Sequence, residues 1–313
     1  MAIKKRPATI VVLFLCTALL LSLTASAAYY NTYTSINPQI ASPEGCTGMQ
    51  GFDVGSTYCY SVKVNTGSLT KAVIYRTKLS DGSTTLMTNG DNGLSYCTYL
   101  SHANDMVLCT INDEYYMFIV TMLEGSMSLV KLKYVGTTYY KVGNYTIKLS
   151  GQNQLMSGVK ITGKTATTIN FLFKNGKTYY RGSLPLTANT GTINVTEAFT
   201  LNTVDALVNG STVPGIETFA NQGFEYYNNS VYHPVTKGNV SIVLVYRNIP
   251  TASGTITADP NLSFRVTSVD FPKLFEIEGC GHGPDGKLYF NTNRNKADGT
   301  AYDGVHYFNN YVG

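Results

Sequence analysis

The sequence predicts an all-β fold, a five-bladed β-propeller forming a single domain, on three observations. Five polar-small steps each open a stretch of alternating β-type residues: Met49-Gln50-Gly51-Phe52, Ser101-His102-Ala103-Asn104-Asp105, Met156-Ser157-Gly158-Val159, Asn221-Gln222-Gly223-Phe224 and Ile277-Glu278-Gly279-Cys280. The intervals between Gln50, His102, Ser157, Gln222 and Glu278 are 52, 55, 65 and 56 residues, the length of a four-stranded blade with generous loops. Turn signals recur at short spacing, and no stretch carries the period of a long amphipathic helix. The blades are therefore expected to open near residues 49, 101, 156, 221 and 277, within a domain covering 28–313.

In chain order, Lys4, Lys5 and Arg6 precede an apolar run from Ile10 to Leu23 that ends in Ala25-Ser26-Ala27, the pattern of a secretory signal peptide over 1–27. That run is short for a membrane span, and no later segment reaches 18 apolar residues. Cys16 lacks the small preceding residue of a lipidated cysteine. The expectation is a secreted protein, extracellular or wall-associated, with no transmembrane anchor after cleavage. Tyr29 to Ile36 should then pair with the last strands and hide both sheet edges. Strand-type runs follow at Tyr58 to Val64, Met106 to Ile111 with Tyr115 to Val120, Thr168 to Phe173, Ser230 to Val235 and Lys287 to Asn291. Val240 to Tyr246 reads as a buried strand, reached through the turn at Lys237-Gly238. Pro284-Asp285-Gly286 and Asp298-Gly299 make the final reversals, with Val305 to Phe308 returning.

Without the leader's three basic residues, 20 Lys and Arg face 19 Asp and Glu, so no basic face argues for nucleic acid. Charged residues are only 13% of the chain, while Tyr, Thr, Asn, Ser and Gly abound, which suits exposed sheet and turns. The mature cysteines are Cys46, Cys59, Cys97, Cys109 and Cys280. Similar offsets in neighbouring repeats allow bridges Cys46 to Cys97 and Cys59 to Cys109, with Cys280 left over, and buried free thiols fit equally well. No Cys-x-x-Cys or close His pair suggests zinc, and no metal site is expected.

In a propeller the innermost strand of each blade lines the axis, so Gln50, His102, Ser157, Gln222 and Glu278 are expected to ring one mouth. Each is followed by Gly or Ala, which lets backbones approach closely and leaves room for a ligand or ordered water. Asn104, Asp105, Glu276, Asn291, Asn293 and Arg294 are the companions. Amides, carboxylates and an Arg offer paired donors and acceptors for vicinal hydroxyls or a phosphate. Arg294 is read either as a phosphodiester clamp or as a solvated loop residue. The bland alternative is that the ring residues merely satisfy one another and bound water.

Ser101-His102-Ala103-Asn104-Asp105-Met106, Phe275-Glu276-Ile277-Glu278-Gly279 and Leu288-Tyr289-Phe290-Asn291-Thr292-Asn293-Arg294 together resemble the helveticin J family. Those are class III bacteriocin-like secreted proteins, similar to the propeller domains of teichoic acid biosynthesis protein C and of phage receptor-binding proteins. The resemblance implies a bacteriocin-like propeller that binds a bacterial cell-surface glycopolymer, a teichoic acid or other cell-wall polysaccharide. It places channel-mouth motifs on His102, Asn104, Asp105, Gln222, Glu276 and Glu278. The third repeat departs from the pattern, with Ser157-Gly158 and a Lys/Thr-rich stretch.

The competing class is an enzyme cleaving a glycan or phosphodiester, with Glu278 and His102, or Glu276 with Asp105, as acid and base. Calcium is the one cofactor considered, with Asn104, Asp105, Asn291 and Glu278 as oxygen ligands. No nucleophile motif such as Gly-x-Ser-x-Gly occurs, and the sequence favours binding over catalysis. A third class is a structural surface protein acting through Tyr-rich faces, to which the 24 tyrosines lend weak support because Tyr also serves strand packing.

Overall fold

Two-residue turns built from Asn and Asp reverse the chain repeatedly. Asn112 and Asp113 have φ of 50° and 64°, and Asn228 and Asn229 have φ of 46° and 59°. Short polar side chains tolerate this left-handed region, which a hairpin turn matched to the strand twist requires. These turns join Asp105–Ile111 to Glu114–Val120 and Glu225–Tyr227 to Ser230–Lys237. A computed structural model describes residues 32–208, 210–309 and 311; the predicted leader lies outside them.

The strands group into four-stranded antiparallel sets arranged as a propeller. The first set is Gly48–Val54, Tyr58–Val64, Ala72–Lys78 and Thr84–Leu86. The second is Asp105–Ile111, Glu114–Val120, Leu129–Val135 and Thr138–Leu149, and the third is Gly158–Lys164, Thr168–Asn175, Thr178–Pro185 and Thr190–Asn202. The second and third are fused by a parallel pairing of their outermost strands, Asn144 to Leu149 against Thr190 to Val195. A fourth set has Ala220–Asn221 and Glu225–Tyr227 as two short inner pieces, then Ser230–Lys237, Val240–Tyr246 and Phe264–Thr267. The last runs Leu274–His282, Leu288–Asn295 and Gly304–Phe308, with Tyr33–Asn37 as its outer edge.

The inner strands meet around one axis. Gly48–Val54 touches Asp105–Ile111 on one side and Leu274–His282 on the other, while Gly158–Lys164 and Glu225–Tyr227 complete the circuit. Apolar side chains fill the wedges between neighbouring sets. Val62 and Ile74 pack on Met106 and Leu132, and Phe118 and Tyr145 pack on Phe171 and Ile193. Tyr179 and Phe199 meet Leu244 and Tyr246, Val243 and Phe264 meet Phe275 and Phe290, and Tyr289 and Val305 meet Phe52 and Val73. Each fully buried Phe among them contributes roughly 1.5–3 kcal/mol.

Closure follows the expected route: Tyr33–Asn37 pairs antiparallel with Gly304–Phe308, Tyr33 opposite Phe308. The segment after that strand is clamped from both sides. Lys63 Nζ, fully buried, donates to Asp303 Oδ2 at 2.9 Å, to Ser42 Oγ at 2.7 Å and to the Ile40 carbonyl at 3.3 Å. Ile40 N–H donates to the Asp303 carbonyl at 2.7 Å.

Among the described residues the five cysteines are free thiols, one of the two readings that the sequence left open, with Cys46, Cys59, Cys97 and Cys280 buried in the apolar wedges. Two expectations change. The axis is closed rather than channelled: a Cβ on Gly51 would lie 2.8 Å from the Ala103 carbonyl oxygen, and one on Gly279 would lie 2.9 Å from Phe52 Cβ. Those glycines admit neighbouring backbone, not a ligand. Arg294 is neither a clamp nor a loop residue, being 2% exposed with its guanidinium bonded to the Tyr302 carbonyl at 2.8 Å, the Pro38 carbonyl at 2.5 Å and Tyr33 Oη at 3.3 Å. It fastens the closing strand.

Lys63→Met leaves Asp303 buried and unpaired, so a loss of about 3–5 kcal/mol is expected in urea unfolding. The double variant Lys63→Met with Asp303→Leu should recover most of it, because the stranded charge goes with its partner.

Candidate functional site

The candidate residues gather where the inner strands begin. On Leu274–His282, alternation puts Glu276 and Glu278 on one face while Ile277 points into the apolar wedge. Glu276 Oε1 accepts from Gln222 Nε2 at 2.9 Å, and the Glu278 carbonyl accepts from Gly223 N–H at 2.7 Å, joining the fourth and last sets. Glu278 is 1% exposed, and its Oε1 accepts from Asn293 Nδ2 at 2.5 Å. Burial raises the Glu278 carboxyl well above the usual carboxylate range, and the Glu276 charge beside it pushes it further up. Glu278 therefore favours its protonated form more than an ordinary carboxyl does.

Asn291 and Asn293 act as surrogate strand partners. Asn293 accepts from Met49 N–H at 2.8 Å and donates to the Met49 carbonyl at 3.2 Å, and Asn291 Nδ2 donates to the Gln50 carbonyl at 2.7 Å. The register shift between Met49 and Phe52 frees that stretch of backbone from its hairpin ladder. Gln50 lies in that freed stretch, buried, and its Oε1 has no hydrogen-bond partner. His102 precedes the strand rather than lying on it, in a turn where Ser101 and Ala103 have φ of 50° and 49°. It is half-buried, its Nδ1 lacks a partner, and burial holds its imidazole below the ordinary value, so it is neutral at pH 7.

Gln222 and Glu276 thus meet half-buried at this end, Glu278 and Gln50 lie buried beside them on inner strands, and the remaining candidates tie the sets together. Asn104 Nδ2 donates to the Ser157 carbonyl at 2.6 Å, tying the second set to the third. Asp105 is fully buried; it accepts from Met106 N–H at 2.9 Å, Val159 N–H at 3.1 Å and Phe224 N–H at 3.4 Å. Its oxygens are committed to these donors and to Lys160 Nζ at 3.3 Å. Calcium does not fit here, because an ammonium already faces Asp105 and the amides of Asn104 and Asn291 turn their donors to carbonyls. Among the described residues no cluster of three His, Cys, Asp or Glu could hold a metal.

Two lysines from the departing third repeat are the groups that sequence reasoning missed. Lys160 Nζ sits on the axis, donating to the Met106 carbonyl at 2.7 Å and the Phe52 carbonyl at 3.1 Å, with Asp53 at 3.7 Å. Burial works against its charge, yet Asp105 and Asp53 outweigh it and raise the ammonium above its ordinary value. Lys174, also fully buried, donates to Asn221 Oδ1 at 3.0 Å and to the Gln222 carbonyl, and burial lowers it to about 8. It holds Gln222 in place from beneath. Their one signal was a pair of lysines inside otherwise apolar strand runs.

No protein-family model matches the chain, and no curated protein matches it. Among solved structures the chain is similar to the tail fiber of Staphylococcus aureus phage P68, with 9% identity over 89% of this chain and 53% of that one, at a TM-score of 0.51. It is similar at a TM-score of 0.49 to an engineered GH43 glycoside hydrolase with endo-xylanase and exo-arabinofuranosidase activity, 10% identical over 88% of this chain and 51% of that one. A GH43_1 enzyme from Xanthomonas citri complexed with xylose also gives 0.49, with 8% identity over 89% and 90% of the two chains. The chain spans about half the length of the tail fiber and of the engineered hydrolase. At these identities the likeness concerns the fold.

Because the folded-state value of Glu278 is raised, its contribution to stability is complete below the unfolded carboxyl value and is lost as pH rises. Glu278→Gln mimics the protonated acid. Its urea midpoint should equal that of the parent near pH 4 and exceed it at pH 8.

Proposed function

We propose that the four-stranded sets are the blades of a five-bladed propeller whose axis mouth binds a saccharide unit of a bacterial cell-surface glycopolymer. The observation that carries this reading is the hydrogen-bonded group of Gln222 with Glu276 across neighbouring sets and of Asn293 with Glu278, with Gln50 Oε1 and His102 Nδ1 unpartnered in the inner segments of the adjoining sets. A buried polar atom without a partner costs about 1–3 kcal/mol. Carboxamides and carboxyls in such a group suit a ligand rich in hydroxyls, which donate and accept at each position. A teichoic acid or wall polysaccharide fits, and a leader over 1–27 would bring the chain to it. A bacteriocin-like role is the biological setting in which we place this binding.

A second reading has its own support in the Glu276 and Glu278 pair. A buried carboxyl pushed toward its protonated form beside a second carboxyl is the equipment of a general acid in glycan cleavage. Binding is favoured because both carboxyls stand on one strand, and Asp105, the candidate counterpart from another blade, is committed to Lys160 and backbone N–H groups.

Sedimentation of the purified protein with isolated bacterial cell walls, before and after teichoic acid extraction, tests both readings. Gln222→Ala with Glu276→Ala should weaken wall binding at least tenfold, with no sugar or phosphate fragments released by the parent. Fragments that disappear with Glu278→Gln, while sedimentation persists, would establish the enzyme instead. Absence of any sedimentation would overturn the surface-polymer reading.

A further inference from the structure

At the opposite end of the axis, where the inner strands run out at Val54 and Ile111, a cleft of about 490 Å³ opens between the first and second sets. Its walls are aromatic. Tyr115 is 54% exposed on the outer lip, with its ring centroid 5.7 Å from that of Tyr134, so the two form a tilted platform. Tyr58 forms another wall, and the Arg76 guanidinium lies 4.2 Å over its ring.

Arg76 carries the cleft's one charge. Its Nη1 donates to the Gly136 carbonyl at 2.8 Å, the side chain as a whole is half-buried, and no carboxylate lines the cleft. An arginine stacked on a ring and anchored by one carbonyl is pre-organised, and its uncompensated charge suits a planar or tetrahedral anion. A neighbouring cleft of about 600 Å³ shares Ser56 and Thr57 with this one, so the two join into a longer groove. There the carboxylates are already paired, Asp81 with Lys78 behind the lining at 2.8 Å and Asp285 with Lys287 at 2.9 Å. Arg76 is thus the position along the groove where an external anion is wanted.

We propose that this cleft is a second saccharide site, taking an anionic unit of a glycan or polyol chain, its ring or carbon backbone on Tyr115 and its phosphate or carboxylate on Arg76. This site stands independently of the axis-mouth reading. Aromatic faces hold the C–H surface of a sugar, and the guanidinium selects for charge, so a neutral chain is discriminated against.

Isothermal titration of the full chain with a glycerol phosphate hexamer, hexagalacturonate and neutral xylohexaose tests this. At least one charged hexamer should bind, and the tighter of the two identifies the anion as phosphate or carboxylate. Arg76→Gln should weaken that binding at least tenfold, Arg76→Lys should restore part of it, and Tyr115→Ala should cost about fivefold. Tyr115 is exposed, so its variant tests the site even where an Arg76 variant fails to fold. The site is overturned if neither charged hexamer binds, if xylohexaose binds as well as they do, or if loss is confined to Gln222→Ala at the mouth. Failure of wall sedimentation through the mouth variants leaves a positive result here intact.

Discussion

One buried ammonium group organises the axis. Lys160 reaches from the third set to carbonyls of the first and second, with Asp53 and Asp105 around it. Taking such a charge out of water costs several kcal/mol unless close partners surround it. Here the carbonyls and carboxylates come from different sheets, so the cost is offset only when those sheets converge correctly. Asp105 carries the linkage onward through Val159 N–H and Phe224 N–H to the third and fourth sets. The core of the propeller is therefore specified by hydrogen bonds as well as by apolar wedges. It is also closed where Gly51 and Gly279 let neighbouring chain segments approach, so no channel runs along it there.

The blades are unequal in what they do at the mouth, and the inequality follows from that arrangement. The third repeat offers no long polar side chain there, yet its two buried lysines fix those of its neighbours. Lys174 grips Asn221 and the Gln222 backbone, while Ser157 serves through its carbonyl, which accepts from Asn104. Contact and support are divided between repeats that look alike in the sequence. Neighbouring sets are bridged by side-chain amides acting as backbone substitutes, Asn291 and Asn293 on one seam and Asn104 on another.

The strands and turns were legible because they depend on local chemistry. Asn228-Asn229 marks a hairpin by its tolerance of positive φ, and the run from Val240 to Tyr246 is apolar enough to be buried on both faces. Closure by the segment before Ile36 was legible from edge protection alone. The axis lysines were not, since a lysine in a strand defaults to a solvated face and only the meeting of several sheets reverses that. Arg294 misled because Asn293 and Arg294 alternate across one strand, with Asn293 turned to the mouth and Arg294 to the closing segment. His102 escaped its strand because Ser101 and Ala103 take left-handed φ, which neither residue type signals.

Affinity at such a mouth is bounded by the same bookkeeping. Removing the deficit of a few unpartnered polar atoms, at about 1–3 kcal/mol each, leaves little once a ligand's lost freedom is subtracted. A single saccharide unit would then sit near the millimolar range, about 4 kcal/mol. A polymer changes the arithmetic, because a second contact on the same chain is made at an effective concentration set by the intervening units. Two modest sites at opposite ends of a rigid axis need a ligand long enough to pass around the rim, or two neighbouring chains of a dense surface. Either condition favours a repeating polymer over a free sugar as the ligand of the two proposed sites.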